Sequence, residues 1–262
     1  MTEPAAHVAV VTGAGRGIGA AIGRRLHEDR YAVVLADLDG AAAAAEAVAS
    51  QLDASGATAL GLPLDVADAA AVRGVFAAVA ARWGRVDVLV NNAGTATLAP
   101  FLDFPAEAFA RVMAVNVTGA LLCGQAAARL MREARGGRPG GGRIINIASV
   151  SGIRAGAGRT AYGTSKAALI GLTRQMAVEL APYGITANAV APGPVETQLA
   201  QLHHSAGVRA AYERQVPAGR YATPEEIAAA VAYLASPAAA YVSGVVLPVD
   251  GGFLAAGMLE GD

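Results

Sequence analysis

The stretch Val8-Ala9-Val10-Val11-Thr12-Gly13-Ala14-Gly15-Arg16-Gly17-Ile18-Gly19 decides the fold of this chain. Its first five residues predict a buried strand, and the pattern from Gly17 onward predicts a helix directly after it. The glycines let the backbone turn tightly and approach a pyrophosphate group, which would then face the N-terminus of that helix. With 32 glycines in the chain such spacings are common, so the position between strand and helix carries the prediction.

An acidic residue ends the next predicted strand. Asp37 lies eighteen residues after Gly19 (37 − 19), close to the roughly 20 expected for a carboxylate that binds the adenosine ribose of a dinucleotide. A carboxylate there repels a 2′-phosphate, and Leu38 supplies no cation to offset it, so the sequence favours NAD over NADP. Arg16 is the contrary observation, because a basic residue in the glycine loop could reach a 2′-phosphate.

Short apolar runs alternate with alanine-rich helical stretches, which is typical of βα units around a parallel sheet. The predicted strands are residues 8–12, 32–36, 57–64, 86–91, 143–148, 186–190 and 245–249, and the predicted helices are 17–29, 41–55, 69–83, 106–135, 160–181 and 224–235. Residues 193–221 form a long segment without an obvious strong helix, as lids and binding loops often do. Because no second hydrophobic unit is apparent, residues 1–262 are predicted to form one domain.

The composition excludes several kinds of protein. A formal net charge of −1 and a pI near 6.4 argue against nucleic acid or an anionic membrane as a partner. No uninterrupted apolar run reaches the roughly 18–20 residues needed to span a bilayer, and the N-terminus lacks the features of a signal peptide. Cys123 is the one cysteine, which fits a reducing cytosol. The sequence therefore predicts a cytoplasmic protein with a small-molecule substrate.

Lys166 is the only lysine in the chain, and it lies four residues after Tyr162. On a helix these two side chains share a face about 5–6 Å apart, so the ammonium can act on the phenol. A compact ammonium and a planar guanidinium are not interchangeable in such a position. The pair by itself is equally compatible with a solvated lysine on a helix surface.

The chain resembles the short-chain dehydrogenase/reductase family over residues 8–253. The matching motifs stand in the family's order: Thr12-Gly13-(x)3-Gly17-x-Gly19, Asp65-Val66, Asn91-Asn92-Ala93-Gly94, Asn116, Ser149, Tyr162-(x)3-Lys166, and Pro192-Gly193 with Thr197. The resemblance implies a single-domain α/β Rossmann fold, with a doubly wound parallel seven-stranded sheet and helices on both faces. It also implies an NAD(P)-dependent oxidoreductase that acts on CH–OH groups.

The resemblance assigns catalysis to Asn116, Ser149, Tyr162 and Lys166. Tyr162 would be the general acid and base, with its ordinary pKa of about 10 lowered by Lys166 and by the oxidised nicotinamide. Lys166 would also bind the nicotinamide ribose, Ser149 the substrate oxygen, and Asn116 a water that links Lys166 to solvent. By residue type alone, a turn residue is the default interpretation of Ser149, and an asparagine that bonds to local backbone is the preferred interpretation of Asn116.

The resemblance also implies the binding residues. The cofactor contacts would be Gly13, Gly15, Arg16, Gly17, Ile18, Gly19, Asp37, Leu38, Asp65, Val66, Asn91, Ala93, Gly94, Tyr162, Lys166, Pro192, Gly193, Val195 and Thr197. The substrate contacts would be Ser149, Ser151, Tyr162, Gln198 and His203, for a secondary alcohol or ketone such as a polyol or a sugar. No metal site is predicted, because the histidines, His7, His27, His203 and His204, lack ligand spacing with a carboxylate or cysteine.

Two other functions stay open. Many members of the resembled family reduce 3-oxoacyl thioesters on an acyl carrier protein, usually with NADPH and a basic docking face, which Arg132, Arg135, Arg138 and Arg143 could form. Asp37 argues against that cofactor. The complete catalytic set argues against a non-catalytic dinucleotide-binding scaffold. Family members are usually homotetramers, in which helices corresponding to 106–135 and 160–181 form one interface, and both stretches are rich in alanine here.

Overall fold

The central element of the computed structural model is a parallel sheet. The structure describes residues 7–133 and 141–257, and within them seven strands pair in the order β3-β2-β1-β4-β5-β6-β7. The strands are β1 (Val8–Thr12), β2 (Ala32–Asp37), β3 (Ala59–Pro63), β4 (Val88–Asn91), β5 (Arg143–Ile147), β6 (Thr186–Pro192) and β7 (Val246–Val249). The order reverses between β1 and β4, and open α/β sheets bind ligands in the crevice at such a point.

Helices cover both faces of the sheet. They are α1 (Gly17–Glu28), α2 (Asp39–Leu52), α3 (Ala69–Trp83), α4 (Ala106–Met113), α5 (Gly119–Glu133), α6 (Thr160–Leu180), α7 (Gln198–His203), α8 (Ala206–Gln215) and α9 (Pro224–Ala235). One apolar layer joins the sheet to α1, α2 and α9, and a second joins it to α3, α5 and α6. Strands covered on both faces explain the nearly continuous Val, Ile and Leu runs. The predicted doubly wound α/β fold is confirmed.

The predicted helix over residues 106–135 is wrong as a single α-helix. A π-helical turn, Ala114–Thr118, separates α4 from α5, and residues 134–135 lie outside the described residues. Hydrophobic periodicity does not reveal one extra residue in a turn, because the apolar faces on either side remain almost aligned. The π turn contains Asn116, and π-helical turns are frequent at functional sites.

The segment 193–221 contains two helices, α7 and α8, so the expectation of no strong helix there is also wrong. Thr197 caps α7 by accepting a hydrogen bond from Ala200 N, and Ser205 caps α8 by accepting one from Val208 N. These capping residues were a usable signal in the sequence. The strand bounds differ from prediction mainly at the ends: β3 and β4 are each shorter, and β6 extends to Pro192.

By length and composition alone, the helical run 106–133 could cross a membrane. This observation is weak, because the core helix of a globular protein passes the same test. In α5, Cys123, Ala127 and Met131 are buried in the apolar layer against the sheet. The run therefore contributes to the core of the fold.

Helix α1 begins in close contact with the glycine loop. Gly13 and Gly17 adopt φ values of +64° and +54°, which favour glycine. A Cβ atom at Gly19 would clash with the carbonyl oxygen of Gly13 and would lie 2.5 Å from Asn92 Nδ2. The glycines therefore provide both the turn and the close approach of the helix to the loop.

We expect Gly19→Ala to lower the free energy of unfolding by about 1–3 kcal/mol, because the added methyl group must push α1 away from the loop. Gly74→Ala is the matched control, since Gly74 lies inside α3 and an added methyl group there would have no atom within 4 Å. That control should stabilise the protein by about 0.5–1 kcal/mol through helix propensity. Urea unfolding measures both, and an equal change in the two variants would contradict the close contact.

Candidate active site

Asp37 and the glycine loop lie together at the carboxyl ends of β1 and β2. Asp37 Oδ2 accepts a hydrogen bond from Gly15 N at 2.8 Å, and Oδ1 accepts one from Leu38 N at 2.9 Å. A Cβ at Gly15 would lie 3.0 Å from Asp37 Oδ2, so the approach depends on glycine. The carboxylate is held in place and keeps lone pairs for further donors. The arrangement fits the ribose hydroxyls of a dinucleotide.

Arg16 extends from the glycine loop toward residues 193–221, the segment called the lid from here on. Its Nη1 donates to Gln198 Oε1 at 3.2 Å, and both side chains are exposed. A Cβ at Gly17 would lie 3.5 Å from Thr197 Cγ2, so the start of α7 lies over the loop. Gln198, predicted to contact the substrate, therefore lies beside the proposed cofactor residues.

Asn92 and Thr12 join the glycine loop to the end of β4. Asn92 Nδ2 donates to the carbonyl oxygens of Thr12 and Gly13 at 2.9 and 2.8 Å. Thr12 Oγ1 accepts from the backbone N–H groups of Asn92 and Ala93 at 3.1 and 3.0 Å. The amide of Asn91 is buried and donates instead to Asn146 Oδ1 at 2.8 Å. Sequence reasoning includes Asn92 in a motif but assigns it no role.

The other predicted cofactor residues surround the same edge of the sheet. Asp65 is exposed and accepts from Ala67 N at 2.8 Å, while Val66 is buried against Gly119. Gly193 N donates to Val249 O at 3.0 Å. The remaining positions are a buried Val195, an exposed Leu38, Ile18 packed on the core, Pro192 at the end of β6, and Gly94.

Lys166 is buried, with 4% of its surface exposed, which excludes the solvated surface lysine. Its Nζ donates to Ile147 O at 2.7 Å and lies 5.7 Å from the centre of the Tyr162 ring. Burial lowers the pKa of Lys166 to about 8. Burial also raises the pKa of Tyr162, while a hydrogen bond with Ser149 and the charge of Arg159 act in the opposite direction. The expected pairing of ammonium and phenol along α6 is present, but burial outweighs the lowering effects, so the pKa of Tyr162 is raised and not lowered as expected.

Ser149 follows β5 and lies close enough to Tyr162 to lower the pKa of its phenol. Its Oγ accepts from Ser151 N at 3.1 Å, so it also stabilises a turn. A Cβ at Gly152 would lie 2.7 Å from the carbonyl carbon of Lys166, which shows how closely this loop packs on α6. The close packing of the loop brings the hydroxyl to the phenol.

Asn116 is 1% exposed, and its side chain is extensively hydrogen-bonded. Its Oδ1 accepts from Thr95 N at 2.8 Å, and its Nδ2 donates to Thr95 O and Ser165 Oγ, each at 2.9 Å. Both amide hydrogens are therefore used. A Cβ at Gly94 would lie 3.4 Å from Asn116 Oδ1 and 3.5 Å from Lys166 Nζ, so the π turn and the lysine meet at this loop.

A cavity of about 240 Å³ lies between the loop after β5 and the lid. It is lined by Val150, Ser151, Arg154, Ala155, Gly156, Arg159, Val208, Ala211, Tyr212, Gln215 and Phe253. Of the predicted substrate residues, Ser151 lines the cavity, whereas Ser149, Tyr162 and Gln198 do not. The side chain of His203 lies outside the described residues. Sequence reasoning missed Arg159 and the aromatic Tyr212 and Phe253.

Within residues 7–133 and 141–257, no group of three or more His, Cys, Asp or Glu side chains is arranged to hold a metal ion.

Comparison with known proteins identifies the family. The family model described as enoyl-(acyl carrier protein) reductase matches residues 13–254. The chain belongs to the short-chain dehydrogenase/reductase family. It is similar to cis-4-hydroxycyclohexanecarboxylate dehydrogenase from Sinomonas cyclohexanicum, with 44% identity over 252 residues, which are 96% of this chain and 98% of that protein.

Two further proteins are similar to this short-chain dehydrogenase/reductase. A 3-oxoacyl-[acyl-carrier-protein] reductase from Synechocystis is 38% identical over 97% of this chain and 99% of its own length. The structure of a gluconate 5-dehydrogenase from Burkholderia cenocepacia J2315, in complex with NADP and tartrate, has a TM-score of 0.88 and 38% identity over 96% of each chain. The protein is an oxidoreductase that acts on CH–OH groups and binds a nicotinamide dinucleotide.

The buried lysine predicts a specific dependence of stability on pH. Because the pKa of Lys166 is lowered from 10.5 to about 8, the unfolded chain binds more protons than the folded protein between these values, and stability rises with pH there. Lys166→Met removes this titration. The free energy of unfolding of the variant minus that of the parent is therefore expected to fall by about 2–3 kcal/mol between pH 7 and pH 10.

Urea unfolding of both proteins at several pH values measures this difference. Other titrating groups largely cancel between the two proteins, and no second lysine exists in the chain. A difference that stays constant with pH would show that Lys166 keeps its ordinary pKa in the folded protein.

Proposed function

We propose that this protein is an NAD-dependent dehydrogenase that transfers a hydride between nicotinamide and a secondary alcohol or ketone. One observation carries the proposal: the buried Lys166 shares a helix face with Tyr162, which in turn lies close to Ser149. Burial shifts the pKa of both the phenol and the ammonium, and such shifted pKa values cluster at functional sites. The substrates proposed are polyols, sugars or other small hydroxy compounds.

The dinucleotide supplies the chemistry of accepting or returning a hydride. Asp37 would accept hydrogen bonds from the adenosine ribose, and the glycine loop would approach the pyrophosphate at the start of α1. Lys166 would donate to the nicotinamide ribose, since its ammonium has three donors and Ile147 O uses one. Pro192, Gly193, Val195 and Thr197 would line the nicotinamide end.

Tyr162 would transfer the proton at the substrate oxygen. In alcohol oxidation the phenolate removes the hydroxyl proton, while Ser149 Oγ donates a hydrogen bond to the same oxygen. Burial raises the pKa of Tyr162, so the positive charges of Lys166 and Arg159 are needed to favour the phenolate. Oxidation should therefore become faster as the pH rises toward that pKa.

Asn116 would act as a positioning residue. Its side chain holds Thr95 to Ser165 on α6, and thereby holds the segment beside Gly94 against the lysine. Both amide hydrogens are committed to these contacts. A water link to Lys166, as the resemblance implies, would have to use the second lone pair of Oδ1 or the backbone carbonyl of Asn116.

Two observations support NAD over NADP. Asp37 presents a fixed carboxylate where a 2′-phosphate would have to lie. Arg16, the residue that could have offset it, hydrogen-bonds Gln198 on the lid. The gluconate 5-dehydrogenase that resembles this chain was solved with NADP, so the family resemblance does not by itself decide the cofactor.

A second candidate is reduction of 3-oxoacyl thioesters with NADPH. It is favoured by the Synechocystis reductase, which matches 97% of this chain. Of the four arginines expected to form a carrier-protein docking face, Arg132 lies against Tyr183 and Arg143 hydrogen-bonds Gly142 O. Arg135 and Arg138 lie outside the described residues.

We also propose a cytoplasmic homotetramer. An interface through α5 and α6 is supported by apolar residues exposed on both helices, Leu121 and, at 73% exposure, Val178.

Initial rates with NAD and NADP test the cofactor proposal over polyols, aryl alcohols, hydroxy acids and acyl thioesters. We expect kcat/KM to be at least tenfold higher with NAD. Asp37→Ser should reduce the ratio of kcat/KM with NAD to kcat/KM with NADP at least tenfold, because the repulsion of the 2′-phosphate and the bond to the ribose are both lost. Asp39→Ser, an exposed neighbour at the start of α2, is the matched control and should leave the ratio unchanged. A parent enzyme that is faster with NADP would refute the proposal.

Tyr162→Phe tests the catalytic assignment. We expect kcat to fall about a hundredfold or more because the proton-transfer group is removed, while NAD binding measured by calorimetry stays within a few-fold of the parent. Tyr233→Phe, on α9 and far in sequence from the site, is the control. Full activity in Tyr162→Phe would support a function that does not use the phenol.

A further inference from the structure

Arg159 lies in the candidate substrate cavity, three residues before Tyr162 and directly before α6. It is partly buried. Its Nη1 donates to Ser151 Oγ at 3.2 Å, and its Nη2 donates to Tyr212 Oη at 2.8 Å and lies 3.4 Å from His204 Nε2. The guanidinium is therefore held between the loop after β5 and helix α8 of the lid.

The partners of Arg159 do not neutralise it. Ser151 and Tyr212 are uncharged, and His204 Nδ1 lies 2.9 Å from Tyr221 Oη. Among the described residues no carboxylate lies within 4.0 Å of the guanidinium, whereas Arg209 and Arg220 of the lid pair with Glu196 and Glu226. A partly buried cation without a counter-charge is costly. An anionic ligand would remove that cost.

The cavity around Arg159 is positively charged and otherwise largely apolar. Its lining contains a second arginine, Arg154, whose guanidinium lies 5.1 Å from the centre of the Phe253 ring, and it contains no acidic residue. Val150, Val208 and Phe253 supply apolar walls. A volume of about 240 Å³ suits a small organic molecule. The ligand that fits combines an apolar body with one anionic group.

Arg159 also lies close enough to the catalytic phenol for its charge to act on it, since the guanidinium lowers the pKa of Tyr162 against the larger effect of burial. Ser151, to which Arg159 donates, also donates its backbone N–H to Ser149 Oγ, so a ligand bound to Arg159 would extend toward Ser149 and Tyr162. At least two of the five guanidinium N–H groups have no partner among the described residues. A planar pair of donors matches a carboxylate.

We propose that Arg159 binds a carboxylate of the substrate, so that the enzyme oxidises hydroxy acids, or reduces oxo acids, with a small apolar body. This inference rests on the proposed dehydrogenase function. Arg154 contributes long-range attraction at the rim of the cavity. The alcohol carbon lies between the carboxylate held by Arg159 and the proton-transfer group Tyr162.

Pairs of substrates that differ only in charge test this proposal in the parent enzyme. Each pair is a hydroxy acid and its carboxamide, for example 4-hydroxycyclohexanecarboxylate and 3-hydroxybutyrate with their amides. In at least one pair we expect kcat/KM to be at least tenfold higher for the acid than for its carboxamide, which corresponds to about 1.4 kcal/mol. The difference should lie in KM. Equal values for acid and amide in every pair would overturn the proposal, and so would turnover of neutral polyols alone.

Arg159→Gln should abolish the preference for the acid through KM, while kcat falls by the same factor for the acid and the carboxamide because the positive charge near Tyr162 is lost. A purely structural role would lower kcat/KM equally for both substrates and leave the preference for the acid intact, which would overturn the proposal. Arg73→Gln, an exposed arginine on α3, is the charge-matched control and should behave like the parent. Arg159→Lys keeps the charge without the planar fork and should retain part of the preference.

A readout that does not depend on turnover of the acid uses cyclohexanecarboxylate and cyclohexanecarboxamide as inhibitors of the oxidation of a neutral alcohol. The acid should inhibit competitively and at least tenfold more strongly than the amide, and Arg159→Gln should remove this difference. Equal inhibition would count against the carboxylate site. If the proposed dehydrogenase function itself is wrong, the result is distinguishable from failure of the carboxylate site. In that case the enzyme would not reduce NAD or NADP with any alcohol, charged or neutral.

Discussion

The bond from Lys166 Nζ to Ile147 O is the interaction on which the candidate site depends. At 2.7 Å and almost fully buried, it attaches the start of α6 to the end of β5. Ser149 follows Ile147 by two residues, and Tyr162 precedes Lys166 by one helical turn. A single contact thus sets the hydroxyl and the phenol at a fixed separation. A Cβ atom at Gly94 would lie 3.5 Å from Lys166 Nζ, and a compact ammonium and a wide planar guanidinium are not interchangeable in such a position.

Beneath that contact, buried amides and hydroxyls fix the positions of β4, β5 and α6 relative to one another. Asn91 donates to Asn146 at 2.8 Å, Asn146 donates to Thr173 at 2.9 Å, and Thr173 donates to Leu169 O at 2.7 Å. This chain of hydrogen bonds runs from β4 through β5 to α6. Because an unpaired buried amide is costly, a shift of either strand or of the helix would be penalised. Apolar packing alone would tolerate small shifts, so these polar groups supply the precision that a proton transfer needs.

Local patterns in the sequence predict the parts of the site that lie close together along the chain. The glycine loop follows β1 directly, and Tyr162 and Lys166 share one helix, so spacing is enough to find them. The π turn at Asn116 depends on a partner, Thr95, that is 21 residues away, and no local pattern shows it. No local pattern shows the role of Asn92 either, because its side-chain amide donates to the carbonyl oxygens of Thr12 and Gly13, which lie far from it in the sequence. Arg159 precedes Tyr162 by three residues, but its partner Tyr212 belongs to the lid.

The two cations near Tyr162, Lys166 and Arg159, differ in whether they can release a proton. The pKa of Lys166, lowered to about 8, allows it to exchange its proton near neutral pH, whereas a guanidinium stays charged throughout. A carboxylate bound to Arg159 would neutralise that permanent charge and weaken its lowering of the Tyr162 pKa. The phenolate would then depend more strongly on Lys166 and on the oxidised nicotinamide. The charge of the substrate and the strength of the base are therefore coupled, and the optimum pH for hydroxy acids should lie above that for neutral alcohols.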